Sequence, residues 1–182
     1  MRQGTQRMEQ QPSAPGIAGI ATKYGLIQGV LAFIVVLVTT LAGIKQGWVD
    51  SVAELALLVV FMVLAHQQFK KTHAGMMTYA QGLGSGTLLS LAAAVVRCVL
   101  VYVYVTYINT GYLAVLLQAQ RAALEQRGYT GAQLEQAMSF LNAMFTPVGF
   151  VVTSLISGVF FGFIVALIVS IFTRKGDPTA VF

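Results

Sequence analysis

Arg97 is the one charge set deep inside an apolar run of this 182-residue chain. It lies about ten residues from the far end of the run over 78–108, roughly 15 Å along a helix that rises 1.5 Å per residue. An arginine near the bilayer centre costs about 2.5–3.5 kcal/mol on insertion scales, so it turns toward a bundle interior or a wet cavity. Glu54 sits in the first turn of the preceding run and enters from the same end, so it is the acid placed to meet a snorkelling Arg97. Two chemistries follow from the pair. One is a buried or half-buried ion pair that fixes helix register. The other is a site for an anion or a lipid phosphate, which the planar guanidinium suits. Gln28 is a further polar group at depth, and with Gln81 it can supply an interhelical hydrogen bond worth about 0.6 kcal/mol on average. Arg97, Glu54 and Gln28 are therefore the candidate intramembrane polar site.

The remaining reactive residue types form no constellation. His66 and His73 stand seven apart and share a face only if the second helix runs past its polar end. No Cys, Asp or Glu nearby in sequence completes a metal-ligand set, so both read as interfacial histidines. Gly82-Leu83-Gly84-Ser85-Gly86 lacks the preceding strand, the Lys-Ser/Thr ending and the GxGxxG spacing of a phosphate loop; it reads as a closely packed helix start. The single Cys98 cannot form an intramolecular disulfide. No HExxH, GxSxG, CxxC or carboxylate pair occurs. No catalytic, cofactor-binding or metal site is expected, and no cofactor. Coupled carriers place acidic or histidine groups inside the bundle, and Glu54 alone approaches that depth, which weighs against ion-coupled transport.

The elements that hold these residues are apolar runs. Hydrophobic residues make up 57% of the chain and charged ones 9%, against about 25% charged in soluble proteins. Mean hydropathy is +0.76. The formal charge of +5 has no basic face to carry it, so nucleic acid is not an expected partner. The basic residues instead flank the runs, where they orient a membrane protein. Four runs, at 24–44, 52–69, 78–108 and 147–172, are each read as a span of the ~30 Å hydrocarbon layer. The first is too long for a signal-peptide core of about 7–15 residues, so it is read as a retained helix. Residues 1–22 are polar and turn-rich and read as a disordered cytoplasmic tail; 23–175 is the transmembrane domain and 176–182 a second cytoplasmic tail.

Small residues recur at four-residue spacing, which lets helices approach closely. They are Gly25 and Gly29 in the first run, Gly82, Gly86, Ser90 and Ala94 in the third, and Ser154, Gly158, Gly162 and Ala166 in the fourth. The third run closes on Tyr102, Tyr104 and Tyr107. In the loop 110–146, Leu113, Leu116, Leu117 and Leu124 recur at helical spacing and Gly128 is placed to stop that helix. Thr130 with Gln133 fits a capping box. Leu134, Ala137, Met138 and Leu141 form a second apolar stripe. The loop is read as an amphipathic helical hairpin lying on the membrane or folding back onto the bundle. Trp48 suits the interface belt, and Asp50 or Ser51 the cap of the second helix. Arg2, Arg7, Lys23, Lys70, Lys71, Arg174 and Lys175 fall on one side, and Lys45, Arg121 and Arg127 on the other. That imbalance puts both termini in the cytoplasm.

The chain resembles a family of small four-helix membrane proteins from Bacteroidota catalogued as a domain of unknown function. The resemblance covers about 22–175 and rests on five motifs: Lys23-Tyr24-Gly25-Leu26-Ile27, Met77-Thr78-Tyr79-Ala80-Gln81-Gly82-Leu83, the Leu124-Glu125-Gln126 to Leu134-Glu135 loop, Phe145-Thr146-Pro147, and Arg174-Lys175. His66-Gln67-Gln68 departs from the more basic, tyrosine-containing exit of helix two in that family. Membership implies four spans and a bacterial inner membrane, with no family catalytic residues to carry over.

The expected fold is an all-α membrane protein of four transmembrane helices with an amphipathic hairpin between the third and fourth. The leading functional expectation is a non-enzymatic accessory or scaffold subunit. It would assemble through its small-residue faces with another membrane protein or with itself, in contact with membrane lipids. The alternative is a lipid or small-anion carrier centred on Arg97, with the hairpin as its lid. An enzyme acting on lipid-linked substrates, with its chemistry on the outer loop, is a third class.

Overall fold

A computed structural model describes residues 16–43 and 48–174. They form six helices: α1 (Ile17–Leu41), α2 (Trp48–Thr72), α3 (Tyr79–Val103), α4 (Tyr112–Gln126), α5 (Gly131–Met144) and α6 (Pro147–Thr173). A five-residue π-helical turn, Tyr104–Ile108, continues α3. Four stretches are long and apolar enough to cross a membrane: Ile17–Leu41, Ser51–Thr72, Tyr79–Ile108 and Pro147–Thr173. The fold is the expected all-α membrane bundle with a helical hairpin between its third and fourth long helices.

The boundaries differ from expectation in instructive ways. Helix α1 begins at Ile17, inside the stretch read as tail, because Ile20 and Ala21 bury against Ala65, Phe69 and Met77 and Ile17 packs beside them. The parts of the two tails at 1–15 and 176–182 lie outside the described residues, as does Lys45. Helix α2 starts at Trp48, so Asp50 and Ser51, the residues expected at its cap, fall within its first turn; the Asp50 side chain lies outside the described residues. At its other end α2 runs on to Thr72, through His66-Gln67-Gln68 and past the polar end expected of it. His66 and Phe69 there are buried because they extend the inward stripe of Met62 and Ala65 by one turn.

Helix α3 is the hub, packing on α1 along one side and α6 along the other. The α1 contact is made backbone to backbone. A Cβ added at Gly25 would stand 2.5 Å from the Leu89 carbonyl oxygen, and one at Gly29 2.6 Å from that of Ala93. The α3–α6 contact is an antiparallel ladder of small residues. Gly82 meets Ser170, Gly86 meets Ala166, Ser90 meets Gly162 and Ala94 meets Gly158. The small-residue faces expected to meet another protein are thus occupied within the chain. Close approach of this kind replaces a hydrophobic driving force that lipid cannot provide.

Caps fix the ends. Thr78 and Gln81 form a reciprocal capping box at the start of α3, with Thr78 N donating to Gln81 Oε1 at 2.9 Å and Gln81 N to Thr78 Oγ1 at 3.2 Å. Gln81 is therefore spent on its own helix and bridges no other. Thr146 caps α6 ahead of Pro147, accepting from Gly149 N at 3.1 Å. Thr130 makes no side-chain cap bond, so the capping box expected there does not form. Gly128 does end α4, at φ +87°. Its N–H donates to Glu125 O and that of Tyr129 to Leu124 O, a Schellman closure that needs the left-handed conformation glycine tolerates.

The hairpin splits in its burial. The first turn of α4, Tyr112 and Leu113, is buried against the bundle, whereas α5 has no buried residue. The partly covered positions of α5 include the expected stripe Leu134, Ala137, Met138 and Leu141, and the helix packs on α4 and α6.

Candidate functional site

Arg97 projects from α3 toward α2 and forms an ion pair with Glu54, Nη1 to Oε1. The pair also lines a cavity of about 370 Å³ at the hairpin end of the bundle. One side chain thus both pairs with Glu54 and lines the cavity. Ser51 and Glu54 of α2, Arg97 and Cys98 of α3, Tyr112 of α4 and Ser154 of α6 supply the polar and sulfur groups. Phe33, Val36, Leu37, Val101, Phe150 and Val151 supply most of the apolar wall.

The cavity exists because the α3–α6 ladder stops. After the Ala94–Gly158 rung the next residues in register are Cys98 and Ser154, and both face the open space. Cys98 Sγ lies 3.5 Å from Val151 O, which accepts from it. Ser154, expected among the packing residues, belongs to the cavity wall. Gly158 leaves room beside it, since a Cβ there would meet Ala94 Cβ at 3.4 Å and Arg97 Nη2 at 3.9 Å.

The roof comes from the π turn and α4. Asn109 N donates to Tyr104 O at 2.8 Å, a five-residue bond that widens the last turn of α3. Such turns rotate side chains out of helical register and recur at functional sites. Tyr104 is buried by it, while Tyr102 and Tyr107 remain exposed. The Tyr104 ring meets Phe33 and Tyr112 edge to face, with centroids 6.2 and 5.6 Å apart. Asn109 Nδ2 donates to the Tyr104 hydroxyl at 3.0 Å and fixes its tilt.

Gln28 is buried beneath the pair, in a small space of about 40 Å³ shared with Glu54, Ser90, Arg97 and Gly158. The three residues of the candidate polar site are therefore neighbours. Sequence reasoning missed Tyr104, Tyr112, Phe33 and Phe150, and set Cys98 aside.

A second polar centre lies at the opposite end. His66 is wholly buried, contrary to its reading as interfacial. Its Nε2 donates to Gly82 O at 3.0 Å, and its Nδ1 lies 2.7 Å from Thr173 Oγ1. One imidazole thereby ties α2 to α3 and α6. His73, by contrast, is stacked on Phe69 at 3.9 Å and contacts Phe69 O through Nδ1. No group of three His, Cys, Asp or Glu side chains among the described residues is arranged to hold a metal ion.

The fold and the cavity define a class: a four-helix membrane bundle with a polar pair in the wall of a half-open cavity. Within that class the chain belongs to the family described as "Protein of unknown function (DUF4199)", whose match spans residues 23–175. No curated protein and no solved structure matches it.

Proposed function

We propose that this protein is a non-catalytic lipid-binding or lipid-carrying protein of a bacterial cytoplasmic membrane, and that its ligand occupies the cavity at Arg97 and Glu54. The observation that carries this reading is the cavity itself. A space of about 370 Å³ is at the small end of ligand sites, which typically span about 300–1,000 Å³ with apolar walls and few convergent polar groups. A volume of that size suits a head group and the first part of a chain, with the remaining hydrocarbon left in the bilayer. An intramembrane ionisable residue is a functional-site hypothesis by default, and arginine suits phosphate.

The basic flanks support termini in the cytoplasm and a hairpin on the far side, so the site would serve the outer leaflet of the inner membrane. The resemblance of the motifs supports an origin in Bacteroidota. The accessory or scaffold reading keeps less support, because the small-residue faces that motivated it pack against one another inside the chain.

The test is extraction into native lipid nanodiscs followed by mass spectrometry of copurifying lipids and proteins. A lipid retained at about one per chain, and lost in Arg97→Ala, is the expected result. A wild-type protein that retains no lipid through detergent exchange would overturn it. A stoichiometric protein partner in place of lipid would return the accessory reading.

A further inference from the structure

Among the described residues the wall of the cavity is electrically neutral as a unit: its charged groups are Arg97 and Glu54, and they are already paired. A simple anion entering this low-dielectric space would bring the site to a net negative charge, and a simple cation to a net positive one. Uncompensated charge away from water is costly. A ligand that carries both signs avoids this, provided its charges can meet the pair in the matching order.

The pair leaves capacity for that. A guanidinium has five N–H donors in a fork, and a carboxylate accepts at two oxygens. The ion pair joins Arg97 Nη1 to Glu54 Oε1, while Arg97 Nη2 points toward Gly158 of α6. The Glu54 side chain is 44% exposed against 18% for Arg97. The acid therefore stands at the mouth of the site and the guanidinium within it. A ligand anion would reach Arg97 inside, and its cation would remain outside against Glu54.

The mouth opens sideways. Helices α2 and α6 pack together through Met62, Val165, Ala166 and Val169 in the half of the bundle near the termini, with Leu58, Val59 and Val63 beside them from mid-helix. At the hairpin end the aromatic core of Tyr104, Tyr112 and their neighbours draws on α1, α3, α4 and α6 and includes no α2 residue among those described. There α2 contributes Ser51 and Glu54 to the cavity wall. Val52 and Leu55 of α2 and Val148 and Val152 of α6, on the same turns, are exposed apolar residues that suit lipid.

We propose that the cavity takes the head group of a zwitterionic phospholipid bearing a primary ammonium, a phosphoethanolamine head, admitted laterally between α2 and α6. This rests on the lipid-binding reading above and narrows it. The phosphate sits on the remaining Arg97 donors and the ammonium donates to Glu54. A quaternary ammonium has no N–H to give the carboxylate. It would have to be held through ring faces instead, whereas the acid at the mouth, Glu54, offers the hydrogen-bond acceptor that a primary ammonium uses.

The experiment is native mass spectrometry of the full chain offered equal amounts of phosphatidylethanolamine, phosphatidylcholine and phosphatidylglycerol with identical acyl chains, with free phosphoethanolamine as a competitor. Phosphatidylethanolamine should be retained about tenfold over the other two, a difference of affinities that reflects the lost ammonium contact or the unbalanced charge. Glu54→Gln should reverse the preference toward phosphatidylglycerol, because it leaves Arg97 as a lone cation. Equal retention of phosphatidylcholine, or a wild-type preference for phosphatidylglycerol, would overturn the proposal while leaving a lipid site in place. Displacement of the bound lipid by free phosphoethanolamine at similar concentration would also overturn it, making the ligand a soluble head. Retention of none of the three would remove the lipid-binding reading itself. The wild-type comparison needs no variant, so a poorly folding Glu54→Gln leaves the proposal falsifiable.

Discussion

Arg97 of α3 is ion-paired with Glu54 of α2, across a part of the bundle where the aromatic core holds no α2 residue among those described. The pair thus ties the hairpin end of α2 to α3, and it forms part of the cavity wall. Removing either partner should expose the other's charge unequally. Glu54→Gln strands the more buried guanidinium and should cost about 2–4 kcal/mol, near the range for broken buried pairs. Arg97→Met leaves a half-exposed carboxylate near the membrane boundary and should cost less. The double variant should recover a substantial part of the larger loss. Reversible unfolding in mixed micelles checks this, and strictly additive losses would show that the two charges are not coupled.

The ladder between α3 and α6 makes a sharper steric prediction, because two glycines of one stripe differ in their surroundings. A Cβ at Gly162 would overlap the Cβ and Oγ of Ser90, whereas one at Gly158 finds ordinary contact distances. Gly162→Ala should destabilise by about 1–3 kcal/mol, the usual cost of overpacking, and Ser90→Gly should restore part of it. Gly158→Ala should be nearly neutral in stability. Equal effects at the two positions in the same unfolding assay would refute the ladder register.

That pair of glycines also marks how far the sequence reaches. Four-residue spacing of Ser154, Gly158, Gly162 and Ala166 reveals a packing face, but spacing carries no information on whether the facing helix belongs to the same chain. Arg97 and Glu54 were legible because charge is rare and costly in apolar runs. The aromatic wall was not, since Phe33, Tyr104, Tyr112 and Phe150 look like lipid-facing residues when most of the chain is apolar. Nothing in the composition announces the π turn that brings Tyr104 inward. His66 was misread for a different reason. Its polar neighbours Gln67, Gln68, Lys70 and Lys71 suggested water, yet Met62, Ala65, His66 and Phe69 continue one inward stripe at helical spacing and are all buried.

His66 should therefore behave as a structural residue of the terminal end. Its two ring nitrogens engage Gly82 O and Thr173 Oγ1, and loss of a buried hydrogen-bonding partner costs about 1–3 kcal/mol. His66→Ala should lower the midpoint of thermal unfolding and loosen both contacts. Thr173→Val should cost less, because the Gly82 bond survives. A fully stable His66→Ala would show that the imidazole holds nothing together.

Cys98 gives a direct readout of the roof. It is the one cysteine of the chain, it is buried, and it faces the cavity that Tyr112 helps to close. Thiol labelling by a small, membrane-permeant maleimide should be slow in the wild type, because the reagent must pass the pair at the mouth or the rings of Tyr104 and Tyr112. Tyr112→Ala removes the ring that packs 5.6 Å from Tyr104 and should accelerate labelling several-fold, on the order of the gain expected when a local closed state loses its main apolar contact. Saturating phosphatidylethanolamine should slow it again in both proteins, since a head group in the cavity would shield the sulfur. Labelling that is equally fast with and without the Tyr112 ring would mean that α4 does not close the site, and the entrance would then have to be sought above the cavity as well as beside α2.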